Sequence, residues 1–432
     1  MRTRIVDFFN TFGKKFIKGF IVVFSGQSLS SIFNMITMLI FINTLGSVIY
    51  GKFVMIQAST TLVYSIFSFK GFQSLVHFLN KDTTNSREKT MGYIKSVIVL
   101  DVLSLILSII VCLFFTEYLC DLMGWDKGMS NLIKLFSITL LTNFSGTTTG
   151  VIFTFQKYSD LVKGQIVAAF VKLILYIVLY FFNYSLLYFV VIEIISITIS
   201  NVFAIYYTYV ILKKNSLSSF LKVHCNLDRD FIKFNLSSNI TSTIDLPVNQ
   251  IATFIINKYL GFEFNAIYSV FEKIGAILNK IITPLGQIIY PEISKKIGKG
   301  DIKGGFKLVR NSQLLIYIVY IISFVFIIST YKIWFKFFLT DPDKYIIAFL
   351  VYIFYICYTG ATAAVHSIFI SLGYINLTPL ITIIVNIIYL ILLMFFIKWF
   401  GLMGVIIAFI LQAMAIVITK KIIMNASNQK IN

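Results

Sequence analysis

The residues of this chain best suited to do chemistry stand inside long apolar runs. Ser269, Lys273, Lys280 and Gln287 recur at intervals of four and seven, which places them on one helical face that drifts by about 20° per seven residues. That face is a cationic stripe, and Glu272, roughly 100° away on the same helix, addresses a neighbouring helix. The preceding run carries Ser238, Thr241, Ser242, Asp245 and Asn249 on a polar face, with Pro247 removing a backbone donor just after the acid, so this helix is expected to bend. Near the start of the chain Gln27, Ser31 and Asn34 make a neutral stripe of the same kind.

A charge at the centre of a bilayer costs on the order of 3 kcal/mol, so such groups face protein or water. Two readings follow for Asp245, Lys273 and Lys280: they serve transport, or they are ion pairs that fix helix positions. Lys172 and Glu193, in consecutive apolar runs, are expected to pair. His366 beside Ser367 reads as a hydrogen-bonded packing residue, though a histidine titrates near neutrality.

The chain lacks a GxxxxGK[ST] phosphate loop, a GxSxG elbow and an HExxH metal pair. Asp228-Arg229-Asp230 and Asp341-Pro342-Asp343 match a DxD pattern, but each sits in a connection too short to carry a catalytic domain. Cys112, Cys120, Cys225 and Cys357 form no CxxC pair and have no histidine at metal-ligand spacing. No enzyme, cofactor, metal site or disulfide framework is expected.

The elements that must position these groups are membrane spans. Of 432 residues 58% are apolar and 13% charged, where soluble domains carry roughly a quarter charged. A hydrocarbon core of roughly 30 Å takes about twenty apolar residues in a helix. On that measure about twelve spans lie near 20–45, 50–69, 93–116, 131–155, 161–183, 186–212, 234–257, 264–290, 312–335, 345–371, 378–398 and 402–424, numbered 1 to 12 below. The chain divides into a first lobe, 1–212, a cytoplasmic connection, 213–233, and a second lobe, 234–432. The basic start (Arg2, Arg4, Lys14, Lys15, Lys18) precedes no small-residue cleavage site, so span 1 is expected to remain as an uncleaved first helix.

Lysine and arginine collect on cytoplasmic loops. Sorted over this map, 25 of the 37 fall at the termini and in the even-numbered connections, and 7 in or beside the odd ones. Both termini are therefore expected in the cytoplasm, and the net charge of +19 is a topology signal rather than a nucleic-acid surface.

An even number of spans per half makes a duplication parallel, about an axis along the membrane normal. At an offset of 215, Asn34, Ile36, Ile40 and Leu45-Gly46 lie over Asn249, Ile251, Ile255 and Leu260-Gly261, and Ser30 over Asp245. At 214, Ser145-Gly146, Thr148, Val151 and Phe155 lie over Thr359-Gly360, Thr362, Val365 and Phe369. Two distant stretches thus agree on one half-chain repeat.

Asp245-Leu-Pro-Val-Asn-Gln-Ile, Lys258 to Gly261, Ile267 to Val270, Pro284-Leu-Gly-Gln287 and Tyr290-Pro-Glu-Ile-Ser294, with Gly26-Gln27, Leu45-Gly46 and Tyr50-Gly51, resemble the oligosaccharide-lipid flippases of the multidrug/oligosaccharidyl-lipid/polysaccharide (MOP) exporter superfamily. The resemblance implies an all-α, MATE-like polytopic protein whose two six-helix lobes enclose a V-shaped cavity lined by spans 1, 2, 7 and 8. Its cargo would be an undecaprenyl-diphosphate-type lipid-linked oligosaccharide, an O-antigen or capsule repeat unit of lipopolysaccharide or polysaccharide biosynthesis. The cargo would cross from the cytoplasmic to the outer leaflet of a bacterial inner membrane by alternating access, alongside a polymerase and a chain-length regulator. Lys273, Lys280, Gln287, Asn249, Gln27, Asn34 and Lys52 are then candidate cavity residues. Asp245, Glu193 and Pro247 are candidates for proton or sodium coupling and gating. A cationic lumen suits this cargo, because a diphosphate in a low-dielectric slot needs compensating cations. A multidrug antiporter of the same superfamily would instead present acids and aromatics, and a polysaccharide polymerase or glycosyltransferase a sizeable outer loop.

Overall fold

In the bilayer every backbone N–H and C=O must find a partner within the protein, which leaves helices as the form available to apolar runs of this length. The computed structural model describes residues 14–81, 86–182, 185–339, 341–374 and 376–428, with the backbone alone of 14–24, 80–81, 247, 249, 281–292 and 427–428. Among the described residues the chain is helical and contains no strand. Seven helices among the described residues are long and apolar enough to cross a membrane: Ser25–Leu45, Arg87–Met123, Tyr158–Phe182, Leu186–Lys214, Ile302–Phe337, Pro342–Ser371 and Leu377–Ala426. They account for spans 1, 3, 5, 6, 9 and 10, and the last carries spans 11 and 12 together. Gly401, at φ 55° and ψ −135°, kinks that last helix between its two spans.

The other four spans depart from a long apolar helix, each for a local reason. Span 2 is the short helix Ser47–Phe67. Span 8, Phe262–Gly298, is long but carries the charges noted above. Span 4 is broken into Lys127–Phe136, a 3₁₀ turn Ser137–Thr142 and Ser145–Thr154. Span 7 runs as Arg229–Ile244, a π-turn Pro247–Ile251 and Ala252–Leu260, a break where Pro247 takes a donor from the ladder. An additional amphipathic helix, Gly71–Lys81, lies between spans 2 and 3, too short to appear in a search for twenty-residue runs.

The chain forms two compact units. The first ends at Thr243 and omits Gly46–Met55; the second takes Gly46–Met55 and everything from Ile244. The first packs around Leu75, Ile94, Val97, Val151, Ile152 and Phe231, the second around Val309, Val365, Ile368, Phe369 and Val385. The first half of span 7 belongs to the first unit because Phe231 is buried in its core and the Asn239 amide donates to the carbonyls of Ile66 and Ser68, at 3.0 and 2.6 Å.

The connection before span 7 is strapped to span 3. Lys95 Nζ donates to the carbonyls of Leu221 and Val223 at 2.9 and 2.8 Å, Asn226 donates to the carbonyl of Lys89 at 3.3 Å, and Tyr93 donates to Asp228 at 3.4 Å.

The two glycines that the repeat aligns share a conformation. Gly46 follows span 1 at φ 84° and Gly261 follows span 7 at φ 89°. Each starts a new helix immediately, Ser47–Phe67 and Phe262–Gly298, and positive φ at such a reversal suits glycine. At the second aligned pair the units differ: span 4 is interrupted just before Ser145, whereas span 10 passes unbroken through Thr359-Gly360.

Candidate functional site

Span 8 places its polar residues in distinct surroundings. Ser269 is buried, with its hydroxyl 3.4 Å from that of Tyr50. One turn on, Lys273 is exposed and Lys280 half-buried; the side chain of Gln287 lies outside the described residues. Glu272 turns away from this face, as its helical angle requires. It bonds to Tyr268 and interacts with Tyr352 and Tyr355 of span 10. The rings of Tyr268, Tyr355 and Tyr389 stack around Phe409 at centroid distances of 6.1, 5.2 and 5.8 Å.

Lys52 of span 2 stands 5.6 Å above the Phe262 ring, within its own unit. On span 1 the polar stripe bonds along its own helix: Ser31 donates to the Gln27 carbonyl at 2.9 Å and Asn34 to the Ser30 carbonyl at 2.9 Å. Gln27 and Asn34 are half-buried. Lys172 and Glu193 form the expected ion pair, at 3.2 Å, with both side chains 11% exposed.

The break in span 7 organises the polar groups of the second unit. Asp245 is exposed at the break, and the side chains of Pro247 and Asn249 lie outside the described residues. A helix interrupted there leaves carbonyls without their usual donors. Asn386 of span 11 supplies one, donating to the Ile244 carbonyl at 2.6 Å. Gln412 of span 12 in turn donates to Asn386 Oδ1 at 2.9 Å. Both amides are buried, so the break is held by a network rather than left open. Farther along span 12, Lys420 is 5% exposed and lies 2.9 Å from His366 Nδ1. The charge of Asp245 reaches Lys420 across the unit. A cavity of about 180 Å³ opens beside Lys420, His366 and Gln412.

Lys420, Asn386 and Gln412 were not singled out from the sequence, nor was Asp101 of span 3. Asp101 Oδ2 accepts from the Thr147 amide and hydroxyl at 2.8 and 2.7 Å, and the carboxylate also accepts from the Gly146 amide. It caps the last segment of span 4, Ser145–Thr154, whose first-turn N–H groups have no partner within the helix. An acid within an apolar run is signal enough to find Asp101. Lys420 is harder to find, since at the end of a span it reads as one more topology charge. Among the described residues the four cysteines are unpaired, and no group of three His, Cys, Asp or Glu side chains is placed to hold a metal ion.

This is the architecture of a multi-pass membrane protein, and solved structures share it. The chain superposes on an inward-facing multidrug resistance MATE family transporter of the MOP superfamily with a TM-score of 0.72 at 14% identity, covering 95% of this chain and 99% of that one. An outward-facing MATE family transporter of the same superfamily gives 0.64 at 14% identity, covering 96% of each. A MOP superfamily transporter from Pyrococcus furiosus, whose binding pocket has reverse polarity, gives 0.65 at 12%, covering 95% of each. At these identities the likeness shows the fold, which is MATE-like. The family follows from the sequence itself: residues 16–296, more than half of the chain, match the model of the polysaccharide biosynthesis protein family, and the chain belongs to that family. No curated protein matches it.

Proposed function

We propose that the protein is a flippase that carries a polyprenyl-diphosphate-linked oligosaccharide, an O-antigen or capsule repeat unit, from the cytoplasmic to the outer leaflet of a bacterial inner membrane. The observation that carries the reading is the union of a polysaccharide biosynthesis family match with a MATE-like fold. On this reading both termini are cytoplasmic, and Gln27, Asn34, Lys52, Asn249, Lys273, Lys280 and Gln287 meet the cargo. Lys273 and Lys280 supply positive charge to a diphosphate, and the amides exchange hydrogen bonds with sugar hydroxyls. A polymerase and a chain-length regulator act on what is delivered.

Coupling to a proton or sodium gradient is assigned to Asp245, exposed at the break in span 7 with Pro247 close by. Glu193 is already held by Lys172, so its role is structural. A multidrug antiporter shares the fold, but the family match speaks for polysaccharide.

The test is deletion and complementation, read as the surface-polysaccharide ladder and as lipid-linked repeat units in the membrane. Loss of the ladder with accumulated precursor is expected. A deletion strain with a normal ladder and no accumulated precursor refutes the reading. Asp245→Asn is expected to slow transport and blunt its dependence on the ion gradient, and an unchanged gradient dependence removes Asp245 from coupling.

A further inference from the structure

Lys420 lies in an arrangement that calls for a partner. Its side chain is buried within a membrane-spanning unit, and among the described residues no carboxylate stands within ion-pair distance of it. Asp245 acts on it only at longer range. Its nearest company is the imidazole of His366 and the face of the Phe369 ring, 5.8 Å away, and a buried ammonium with no counter-charge close to it is costly in low dielectric.

The hydrogen bonds around it define what would fit. An ammonium only donates, so in its contact with Lys420 the Nδ1 atom of His366 accepts and the imidazole carries its proton on Nε2. Gln412 spends one amide hydrogen on Asn386 and keeps the other. Thr359 and Thr362 give their hydroxyl protons to the carbonyls of Ile356 and Tyr358 in their own helix. The cavity beside these residues therefore has donors from Lys420, His366 and Gln412 on its wall and no carboxylate. Such a wall rejects cations and receives an anion with several oxygens. At about 180 Å³ the cavity suits a phosphate or diphosphate and not an oligosaccharide.

We propose that Lys420, with His366 and Gln412, forms a subsite for a phosphate-bearing anion within the second unit, and that the carboxylate of Asp245 opposes its occupancy. Like charges on the anion and on Asp245 compete for one ammonium, so neutralising Asp245 strengthens the subsite. Binding itself is independent of the flippase reading. Only the diphosphate of a lipid-linked cargo as the source of the anion rests on that reading.

The experiment uses the full chain in nanodiscs of neutral phosphatidylcholine, titrated calorimetrically with inorganic phosphate, inorganic diphosphate and farnesyl diphosphate. Wild type is expected to bind at least one probe, Lys420→Met to bind it about tenfold or more weakly, and Lys420→Arg to retain it. The adjacent exposed Lys421→Met is expected to match wild type. Asp245→Asn is expected to bind several-fold more tightly. Lys420-dependent binding of farnesyl diphosphate alone identifies a lipid headgroup as the occupant, and equal binding of the inorganic ions identifies a free anion. Absence of binding by wild type, or equal binding by Lys420→Met, overturns the subsite. If Lys420→Met does not fold, Asp245→Asn decides, and unchanged or weaker binding overturns the proposal. Retained anion binding in a protein whose deletion leaves the polysaccharide ladder normal overturns the flippase reading and leaves the subsite standing.

Discussion

Replacing Asp101 by alanine removes the acceptor that closes the break in span 4. The carboxylate accepts from the Thr147 amide and hydroxyl and from the Gly146 amide. The hydroxyl can turn to a carbonyl of its own helix, but the two amides, within the membrane, cannot. An unsatisfied buried donor costs about 1–3 kcal/mol, so Asp101→Ala is expected to cost about 2–6 kcal/mol. At about 2–4 °C per kcal/mol for a large domain, the apparent melting midpoint in detergent should fall by at least about 4 °C.

Gly146→Ala acts on the same cap from the other side, because its Cβ would collide with Asp101 Oδ1. The carboxylate would have to withdraw, and its bonds with it. In the Asp101→Ala background that clash is gone, so the added alanine should cost little, and the double mutant should be more stable than the sum of the singles by about 1 kcal/mol or more. Fluorescence-detected gel filtration after heating measures all four proteins. Additive losses, or an Asp101→Ala protein that melts with wild type, would refute the capping argument.

Lys172→Met should destabilise the first unit by about 3–5 kcal/mol by leaving Glu193 buried and unpaired, and Lys172→Met with Glu193→Leu should recover most of it. If the double variant restores stability but not transport, measured as the polysaccharide ladder, Glu193 does more than pair. Asn386→Leu leaves the Ile244 carbonyl without its donor, an expected cost of about 1–3 kcal/mol read by the same heating assay; an unchanged midpoint would show that the break does not depend on span 11. At the start of span 9, Asp301 accepts from the Gly304 amide and from Lys296, which hold its carboxyl below the usual range. A lowered folded value contributes stability above the ordinary carboxylate pKa near 4 and loses it as pH falls through the folded value. Asp301→Asn should therefore melt below wild type at pH 7 and converge with it in acid, and a gap that persists at low pH would contradict the assignment.

The spans were legible because a bilayer leaves apolar chain one way to satisfy its backbone, and because lysine and arginine sort by side. Span 7 was readable down to its bend, since Pro247 stands in an otherwise helical run. The Lys172–Glu193 pair was readable from two opposite charges in adjoining spans. The break in span 4 was not: Asn143 and Phe144 carry no proline or glycine, and the segment is stabilised from outside by Asp101, a contact between residues 46 apart. The same holds for Lys420, whose surroundings come from spans 7, 10 and 12 and follow from no local pattern. The stripe on span 8 is periodic in sequence, yet packing against Tyr50 buries Ser269 and leaves Lys273 exposed, a difference that spacing alone does not contain.

The strap on span 3 changes what the chain between the units is. With Leu221, Val223, Asn226 and Asp228 tied to Lys95, Lys89 and Tyr93, that segment is masonry of the first unit rather than a leash. Lengthening it with a few glycines before Leu221, or cutting it there after folding, should leave the protein intact. Lys95→Met should loosen the segment and expose it to trypsin at Lys222 and Arg229.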